Sequence, residues 1–260
     1  MIWTDEWNAS IKLTSRERLN SGAFWDGRAG GIGPSSFSRK LTDDQLAIIR
    51  PGADERIMEI GPGNGRLTIP LARSALEVTA VDPSANMLRI LSEKMSFEGL
   101  NNFRLINDYW DRMDMRMLGR HQKLVSSFSL FMYGADEQMR RMNSIADAVH
   151  LFVPADIRIP FSVQEIMFGR VMIEYTDFEI LYNIAKELGF EPSTSILEYH
   201  DVMSFESLDA ALEHCFDLYN VPEPKKEPVA DHLSSAVTMR DGKFVLGDAR
   251  KVGTIWWQKS

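Results

Sequence analysis

The sequence has a single cysteine, Cys215, in 260 residues. One thiol cannot form an internal disulfide, and it cannot ligate a cysteine-bound metal cluster. Cys215 lies on the apolar face of a predicted helix, so we expect it to pack in a core. No H-E-x-x-H, C-x-x-C or G-x-S-x-G motif is present, and the five histidines are scattered. The common metalloprotease, thiol-redox and serine-hydrolase signatures are therefore excluded.

Long apolar runs and excess positive charge are also lacking. No segment approaches the roughly 20 apolar residues of a membrane-spanning helix, and the first residues do not resemble a signal peptide. These absences predict a cytoplasmic protein without a membrane partner. The chain has 37 acidic and 29 basic residues, a net charge of −8. An acidic chain without a basic, aromatic-interleaved stretch does not favour nucleic acid, so no nucleic-acid partner is expected.

A glycine-rich turn follows the first predicted strand. The apolar run Ile57 to Ile60 leads into a G-x-G-x-G sequence, and a helical pattern comes next. A strand, a glycine turn and a helix together bring backbone N–H groups against a nucleotide-like ligand. Arg66 occupies the position where the dinucleotide fingerprint requires its third glycine. Glu59 would repel a pyrophosphate but would attract a ligand that carries a cationic amino acid.

The second predicted strand ends in a carboxylate. Glu77 to Asp82 forms the strand, and Asp82 lies 21 residues after Gly61. At this offset in a βαβ unit, an acid reaches the ribose hydroxyls of a bound nucleotide. Ser84 then provides an N-cap for the following helix. The glycine turn and Asp82 together predict a nucleoside-binding site.

Two runs, E-I-G-P-G-N-G and V-D-P-S-A-N-M-L, resemble motifs of the class I S-adenosylmethionine-dependent methyltransferases. The run from Phe24 to Ala29 is similar to an N-terminal element that folds over the cofactor in many small members. The resemblance is specific over residues 55–130. It implies a doubly wound α/β fold with a seven-stranded, mostly parallel sheet, whose last strand is antiparallel and lies between the fifth and sixth.

The resemblance also implies that S-adenosylmethionine is the cofactor and that the loops after the first four strands bind it. In that family, an acid just past the third strand accepts a hydrogen bond from the adenine amino group, and the next N–H reads the ring. Asp108 and Tyr109 occupy these positions, with Asp111 as a competing candidate. The predicted cofactor-binding residues are Glu59, Gly61, Pro62, Gly63, Asn64, Gly65, Asp82, Pro83, Ser84, Met87, Asp108, Tyr109, Ser127 and Phe128.

The acceptor pocket is predicted to include Trp25, Ser129 and Tyr133. No metal site and no catalytic residue are assigned, because methyl transfer can proceed by alignment alone and needs a base only when the acceptor must lose a proton. The sequence after the fourth strand, Ser127-Phe128-Ser129, lacks the N/D-P-P-Y motif of amino-methylating DNA enzymes. A small molecule is therefore the preferred acceptor, and a protein side chain is the second choice.

Three other interpretations remain open: a nicotinamide-dependent oxidoreductase, a protein methyltransferase and a nucleoside-binding protein without turnover. The domain prediction places a helical lid at 1–50 and the methyltransferase domain at 51–260, with a cap excursion at 154–176 and a helical insertion at 205–240. Further local predictions are a flexible turn at 30–34, a helix at 42–49 capped by Thr42, a helix at 136–149, a helix capped by Asp177, a linker at 222–228, and final strands at 243–246 and 252–258.

Overall fold

The computed structural model describes residues 1–29, 36–200, 204–246 and 249–259. The strands within them are β1 Arg56–Ile60, β2 Glu77–Asp82, β3 Phe103–Asn107, β4 His121–Ser127, β5 Ala146–Pro154, β6 Ser193–Tyr199, β7 Ser204–Phe205, β8 Val237–Arg240, β9 Lys243–Leu246 and β10 Arg250–Gln258. Seven of these described strands form one sheet in the order β3-β2-β1-β4-β5-β10-β6. Strand β10 is antiparallel to both neighbours, and the other pairs are parallel. The predicted fold is confirmed.

Helices cover both faces of this sheet. They are α1 Ile2–Leu13, α2 Gly22–Asp26, α3 Ser36–Ile49, α4 Thr68–Ser74, α5 Ala85–Phe97, α6 Ala135–Ile145, α7 Phe161–Phe168, α8 Asp177–Glu187, α9 Leu208–Tyr219 and α10 Lys226–Ser234, with 3₁₀ turns at Arg16–Asn20, Met115–Met117 and Glu223–Lys225. Helices α3, α4 and α5 share one core cluster with the sheet, and α1, α6 and α8 share another. Strands β1 and β2 are almost entirely buried, as expected for parallel strands between two helical layers.

The register brings the strand ends together. Ile60 is aligned with Val81 and with Ser126, and Asp82 is aligned with Asn107. The loops after β1, β2 and β4 therefore leave the sheet at one edge, which is the ligand-binding edge of open α/β sheets.

Helices α7, α9 and α10 form a separate apolar cluster, in which Cys215 is buried beside Val163 and Val229. Strands β7, β9 and β8 form a small antiparallel sheet beside it. No described helix has both the length and the apolar character needed to cross a membrane.

Three helix predictions require correction. Helix α6 ends at Ile145, because residues 146–149 instead pair with β4 at the start of β5. Thr42 lies inside α3, where its hydroxyl donates to the Ser38 carbonyl oxygen at 2.6 Å, so it is not an N-cap. Thr176 caps α8 in a capping box with Glu179. Asp177 is the first residue of that helix and pairs with two arginines.

Two predictions for the last third of the chain also differ from the structure. The segment 222–228 contains a 3₁₀ turn and the start of α10 rather than a linker. Strand β9 belongs to the small sheet and not to the large one. It pairs with β8 across an Asp241-Gly242 turn whose φ angles are +50° and +76°, and an Asp-Gly pair is a strong signal for a tight hairpin. The predicted turn at 30–34 lies outside the described residues.

Candidate active site

A cavity of about 670 Å³ opens at the carboxyl edge of the sheet, and we call it the first cavity. Its lining combines the glycine-rich loop, the loops after β2 and β4, and the N-terminal segment. The predicted site residues that line it are Trp25, Gly61, Gly63, Asp82, Pro83, Met87, Phe128 and Ser129. The sequence analysis did not assign the remaining lining residues, Leu19, Asn20, Ile60, Val81, Trp110, Phe131 and Met132.

The three loop glycines have positive φ angles for different local reasons. A Cβ at Gly61 would overlap the Ser129 side chain, and a Cβ at Gly65 would overlap Leu91. A Cβ at Gly63 would meet no protein atom within 4 Å, although its φ is +54°. Gly61 and Gly65 thus permit close packing of the loop, while Gly63 leaves open space over its backbone in the first cavity.

Asp82 holds this loop against the start of α5. Its Oδ2 accepts from the Gly63 N–H at 3.1 Å, and its Oδ1 accepts from the Ser84 N–H at 2.8 Å. Burial raises the pKa of Asp82, and the two backbone hydrogen bonds oppose that rise. Each oxygen keeps a second lone pair, so the carboxylate can accept ligand hydroxyls from the cavity it lines.

Glu59 lies beneath the loop and is only 2% exposed. Its Oε2 is buried and has no hydrogen-bond partner among the described residues. Burial raises the pKa of Glu59 to about 7. A buried carboxylate oxygen without a partner is costly, and a neighbouring cation would relieve that cost. This orphan oxygen fits a ligand that carries a positive charge.

Arg66 forms hydrogen bonds that turn Ser127 away from the first cavity. Its Nη1 donates to Thr42 Oγ1 and Gln45 Oε1, and its Nη2 donates to Ser127 Oγ, each at 2.8 Å. The predicted cofactor residue Ser127 therefore faces α3 rather than the cavity lining. Helix α3 is thereby fastened to the loop and to the end of β4.

The N-terminal segment closes one side of the first cavity. The Trp25 indole donates to the Leu19 carbonyl oxygen at 2.7 Å. A Cβ at Gly22 would overlap the Pro83 carbonyl, so only glycine allows α2 to pack this closely. Asp26 Oδ1 accepts from Ser84 Oγ at 2.6 Å and from the Asn86 N–H at 3.0 Å. The segment is thus anchored at the N-terminus of α5.

The structure places the other predicted residues around the cavity rather than in its lining. Asp108 accepts a hydrogen bond from the Tyr109 N–H at 2.7 Å, so this backbone donor is already engaged. Trp110, the next residue, does line the cavity, and its buried indole nitrogen has no described partner. Glu59 is buried beneath the loop, and Pro62 is a buried residue of the loop itself. Ser84 caps α5, and Asn64 and Gly65 line a groove on the other side of the loop.

A second cavity of about 730 Å³ adjoins the first and shares Asn20, Phe131 and Met132 with it. The predicted acceptor residue Tyr133 lies here. The other lining residues are Glu17, Asp111, Arg112, Glu137 and Gln138. Asp111 Oδ1 and Gln138 Oε1 are buried without a hydrogen-bond partner in the described part of the chain. The second cavity therefore offers unused hydrogen-bond acceptors beside the first.

Comparison with known proteins is consistent with this geometry. Residues 57–150 match a family described as a methyltransferase domain. The fold is also that of magnesium protoporphyrin IX methyltransferase from Synechocystis PCC 6803 with bound SAH, at a TM-score of 0.53, 16% identity and coverage of 94% of this chain and 99% of that one. The match over residues 57–150 and this shared fold confirm the predicted resemblance to class I methyltransferases, and they support S-adenosylmethionine as the cofactor.

Curated relatives match parts of the chain. Ribosomal RNA small subunit methyltransferase A from Desulforapulum autotrophicum is 38% identical over 71 residues, 27% of this chain and 25% of that protein. Its namesake from Dichelobacter nodosus is 30% identical over 162 residues, 58% of this chain and 59% of that protein. The chain thus spans about a quarter to three fifths of the length of these relatives.

These relatives correct the partner prediction. The sequence analysis excluded nucleic acid and preferred a small-molecule acceptor, with protein second, whereas both relatives are named for ribosomal RNA. The physical error was to use the net charge of −8 as a guide to partners, since a whole-chain sum does not describe local surfaces.

Proposed function

We propose that this chain transfers the methyl group of S-adenosylmethionine to a base of an RNA. The observation that carries the cofactor is the buried, unpartnered Glu59 oxygen beneath a glycine loop whose Gly63 backbone faces open space, and the RNA acceptor rests on the curated relatives. The match of residues 57–150 to a methyltransferase domain and the names of the curated relatives support it.

The first cavity has the groups that a nucleoside carrying a cationic amino acid requires. S-adenosylmethionine supplies an electrophilic methyl group on a sulfonium centre. Glu59 would attract its positive charge, the loop backbone would contact its amino-acid portion, and Asp82 would accept from its ribose hydroxyls. Trp25, which is half-buried at the cavity wall, would limit access of water. The binding of SAH by the Synechocystis enzyme is consistent with this assignment.

The second cavity is where we propose that the acceptor base enters. Its unpartnered acceptors, Asp111 Oδ1 and Gln138 Oε1, suit a base edge that presents N–H donors. Phe131 and Tyr133 offer apolar and aromatic surface for the face of the base. The carboxylates around this cavity would repel phosphate groups. A base extruded from its strand would therefore be accepted here, while its backbone stays outside.

The test is incubation of the chain with methyl-labelled S-adenosylmethionine and separate RNA, protein and small-molecule fractions of a cell extract. We expect label in nuclease-sensitive material. Asp82→Ala should weaken the cofactor about ten- to a hundredfold, the scale of hydrogen bonds to a charged group. Asp108→Ala is the matched control, because that carboxylate also follows a strand but lies off the cavity. Label confined to protein or small molecules would overturn the proposal.

A further inference from the structure

On the side of the glycine-rich loop opposite the first cavity lies a groove of about 1240 Å³ between α3, α4 and α5. We call it the basic groove, because its lining carries the cations Arg39, Arg66, Arg73 and Lys94 against the carboxylates Asp43 and Glu98. Its local charge is thus positive in a chain whose net charge is −8.

We propose that the basic groove binds the sugar–phosphate backbone of the RNA whose base is methylated; this inference rests on the proposed function. The cations come from three helices and the loop rather than converging on one point, so the groove fits a string of phosphates better than a single anion. Phosphate contacts of this kind position a nucleic acid without reading its sequence.

Much of the donor capacity in the groove remains unused. Lys94 donates one hydrogen bond, to the Asn64 carbonyl oxygen at 3.0 Å, and an ammonium has three donors. Arg39 is exposed, and no described carboxylate lies within salt-bridge distance of it. Arg73 is 58% exposed in spite of its 2.5 Å pair with Glu98, so its outer edge can contact a second anion.

The position of the groove relative to the loop supports a shared ligand. Asn64 and Gly65 line the groove, while Gly61 and Gly63 line the first cavity. One loop of five residues, 61–65, therefore separates the two. The second cavity carries three carboxylates, Glu17, Asp111 and Glu137, against the single cation Arg112, so its net negative charge disfavours phosphates. An RNA base there therefore requires a cationic path for its backbone elsewhere. The basic groove provides that path across the loop from the first cavity, which the second cavity adjoins.

The first test measures RNA binding directly. Binding of a labelled single-stranded RNA of about 30 nucleotides should be followed by fluorescence anisotropy between roughly 50 and 300 mM salt. The double variant Arg73→Ala with Lys94→Ala should bind about tenfold more weakly at low salt. Two lost phosphate contacts should also reduce the salt slope of log affinity by about 1.4.

The matched control is the double variant Arg116→Ala with Arg120→Ala. It removes the same net charge, and both arginines are exposed and paired with carboxylates, Asp114 and Asp147, as Arg73 is with Glu98. We expect this control to bind RNA like the wild type. Glu98→Gln, which removes a groove carboxylate, should instead tighten binding by about threefold.

The outcomes separate this inference from the proposed function. Equal RNA affinity for the groove variant and its control, or no RNA binding by the wild type, overturns the groove. Selective loss in the groove variant, with unchanged calorimetric binding of S-adenosylmethionine, supports it. If the chain binds RNA through the groove but labels no RNA, the proposed acceptor is wrong and the groove stands. If the chain labels RNA while the groove variant binds RNA normally, the groove is wrong and the proposed acceptor stands.

Discussion

Glu59 shows how burial changes what a single side chain does. In water its carboxyl would ionise near pH 4.5, but burial raises its pKa to about 7. In the folded protein this group therefore holds a proton over a pH range in which the unfolded chain has released it. Arg66 opposes the shift without forming a salt bridge to Glu59. The ionisation of Glu59 therefore depends on the charges placed close to it, on either side of the glycine loop.

We predict that Glu59 makes the protein without cofactor less stable as pH rises from about 5 to about 8. Between the unfolded pKa and the folded pKa of Glu59, the native state binds more protons than the unfolded state. Compared with a protein that carries a neutral side chain at this position, the free energy of unfolding therefore falls by about 3 kcal/mol over this range. Denaturant unfolding of the wild type and Glu59→Gln at several pH values measures this difference. A difference that grows with pH in favour of the wild type would contradict it.

The same proton predicts the pH dependence of cofactor binding. A cationic ligand favours the ionised carboxylate, so its affinity should rise up to tenfold per pH unit below about pH 7 and then level off. Titration calorimetry with S-adenosylmethionine checks this. Glu59→Gln should bind more weakly and show a flatter profile, whereas a profile identical to that of the wild type would remove Glu59 from the site.

Single residues were predictable from sequence where the chemistry is local. The positions of Gly61, Gly63 and Asp82 follow from spacing along one βαβ unit, and the structure brings them together. Leu19 and Asn20 carry no such signal, because they reach the cavity only through the packing of the N-terminal segment. Asp108 satisfied the spacing, but the turn after β3 directs its carboxylate to its own neighbour's N–H.

At the scale of elements, α2 and α5 are joined by one carboxylate. Asp26 accepts hydrogen bonds from Ser84 and Asn86. Ser84, the N-cap of α5, is therefore itself held by the N-terminal segment. The hydrogen bond from Ser84, followed by that from Asn86, lowers the pKa of Asp26. This arrangement couples the closed position of Trp25 to the loop that follows β2.

We predict that Asp26→Ala weakens binding of S-adenosylmethionine by about three- to tenfold, because the closed segment becomes a smaller fraction of the population. Calorimetry measures the affinity, and limited proteolysis within residues 16–29 reports the release of the segment. Asp114→Ala is the control, since Asp114 also accepts from a backbone N–H at the start of a helical turn and lies away from the site. If both variants bind cofactor like the wild type, the Asp26 contacts do not hold the site closed.

Elements were predicted from sequence as far as periodicity and capping determine them. The Ser84 cap and the strands β1 and β2 are local signals, and they agree with the structure within one residue. The end of α6 was missed because residues 146–149 are apolar in either conformation, and pairing with β4 decides for the strand. Thr42 was misjudged as a cap because α3 begins at Ser36, before the apolar pattern does.

At the scale of the whole molecule, three distant segments meet at one buried carboxylate. Asp177, at the start of α8, accepts from Arg16 of the N-terminal segment at 2.7 Å and from Arg158 of the excursion 154–176 at 2.5 Å. Arg16 and Asp177 are 3% and 5% exposed. The three residues are too far apart in the sequence for any local pattern to predict this contact. Trp7 and Ile11 of α1 are likewise buried in the main core. A variant that lacks residues 1–40 would therefore be disturbed in folding as well as in the site.

We predict that Asp177→Asn destabilises the protein by about 3–5 kcal/mol, because the buried Arg16 and the partly buried Arg158 lose their only charged partner among the described residues. Burial raises the pKa of Asp177, but the pairs with Arg158 and Arg16 outweigh it and the net pKa is lowered. Its stabilising contribution is therefore fully present above about pH 4, its unfolded pKa, and is lost as pH falls through the lower folded value. Denaturant unfolding at pH 7 and at pH 3 measures both effects.

The control is Asp217→Asn, which breaks an exposed pair with Arg18 and should change stability by less than about 1 kcal/mol. Equal losses in the two variants would mean that the buried cluster does not join the N-terminal segment to the fold.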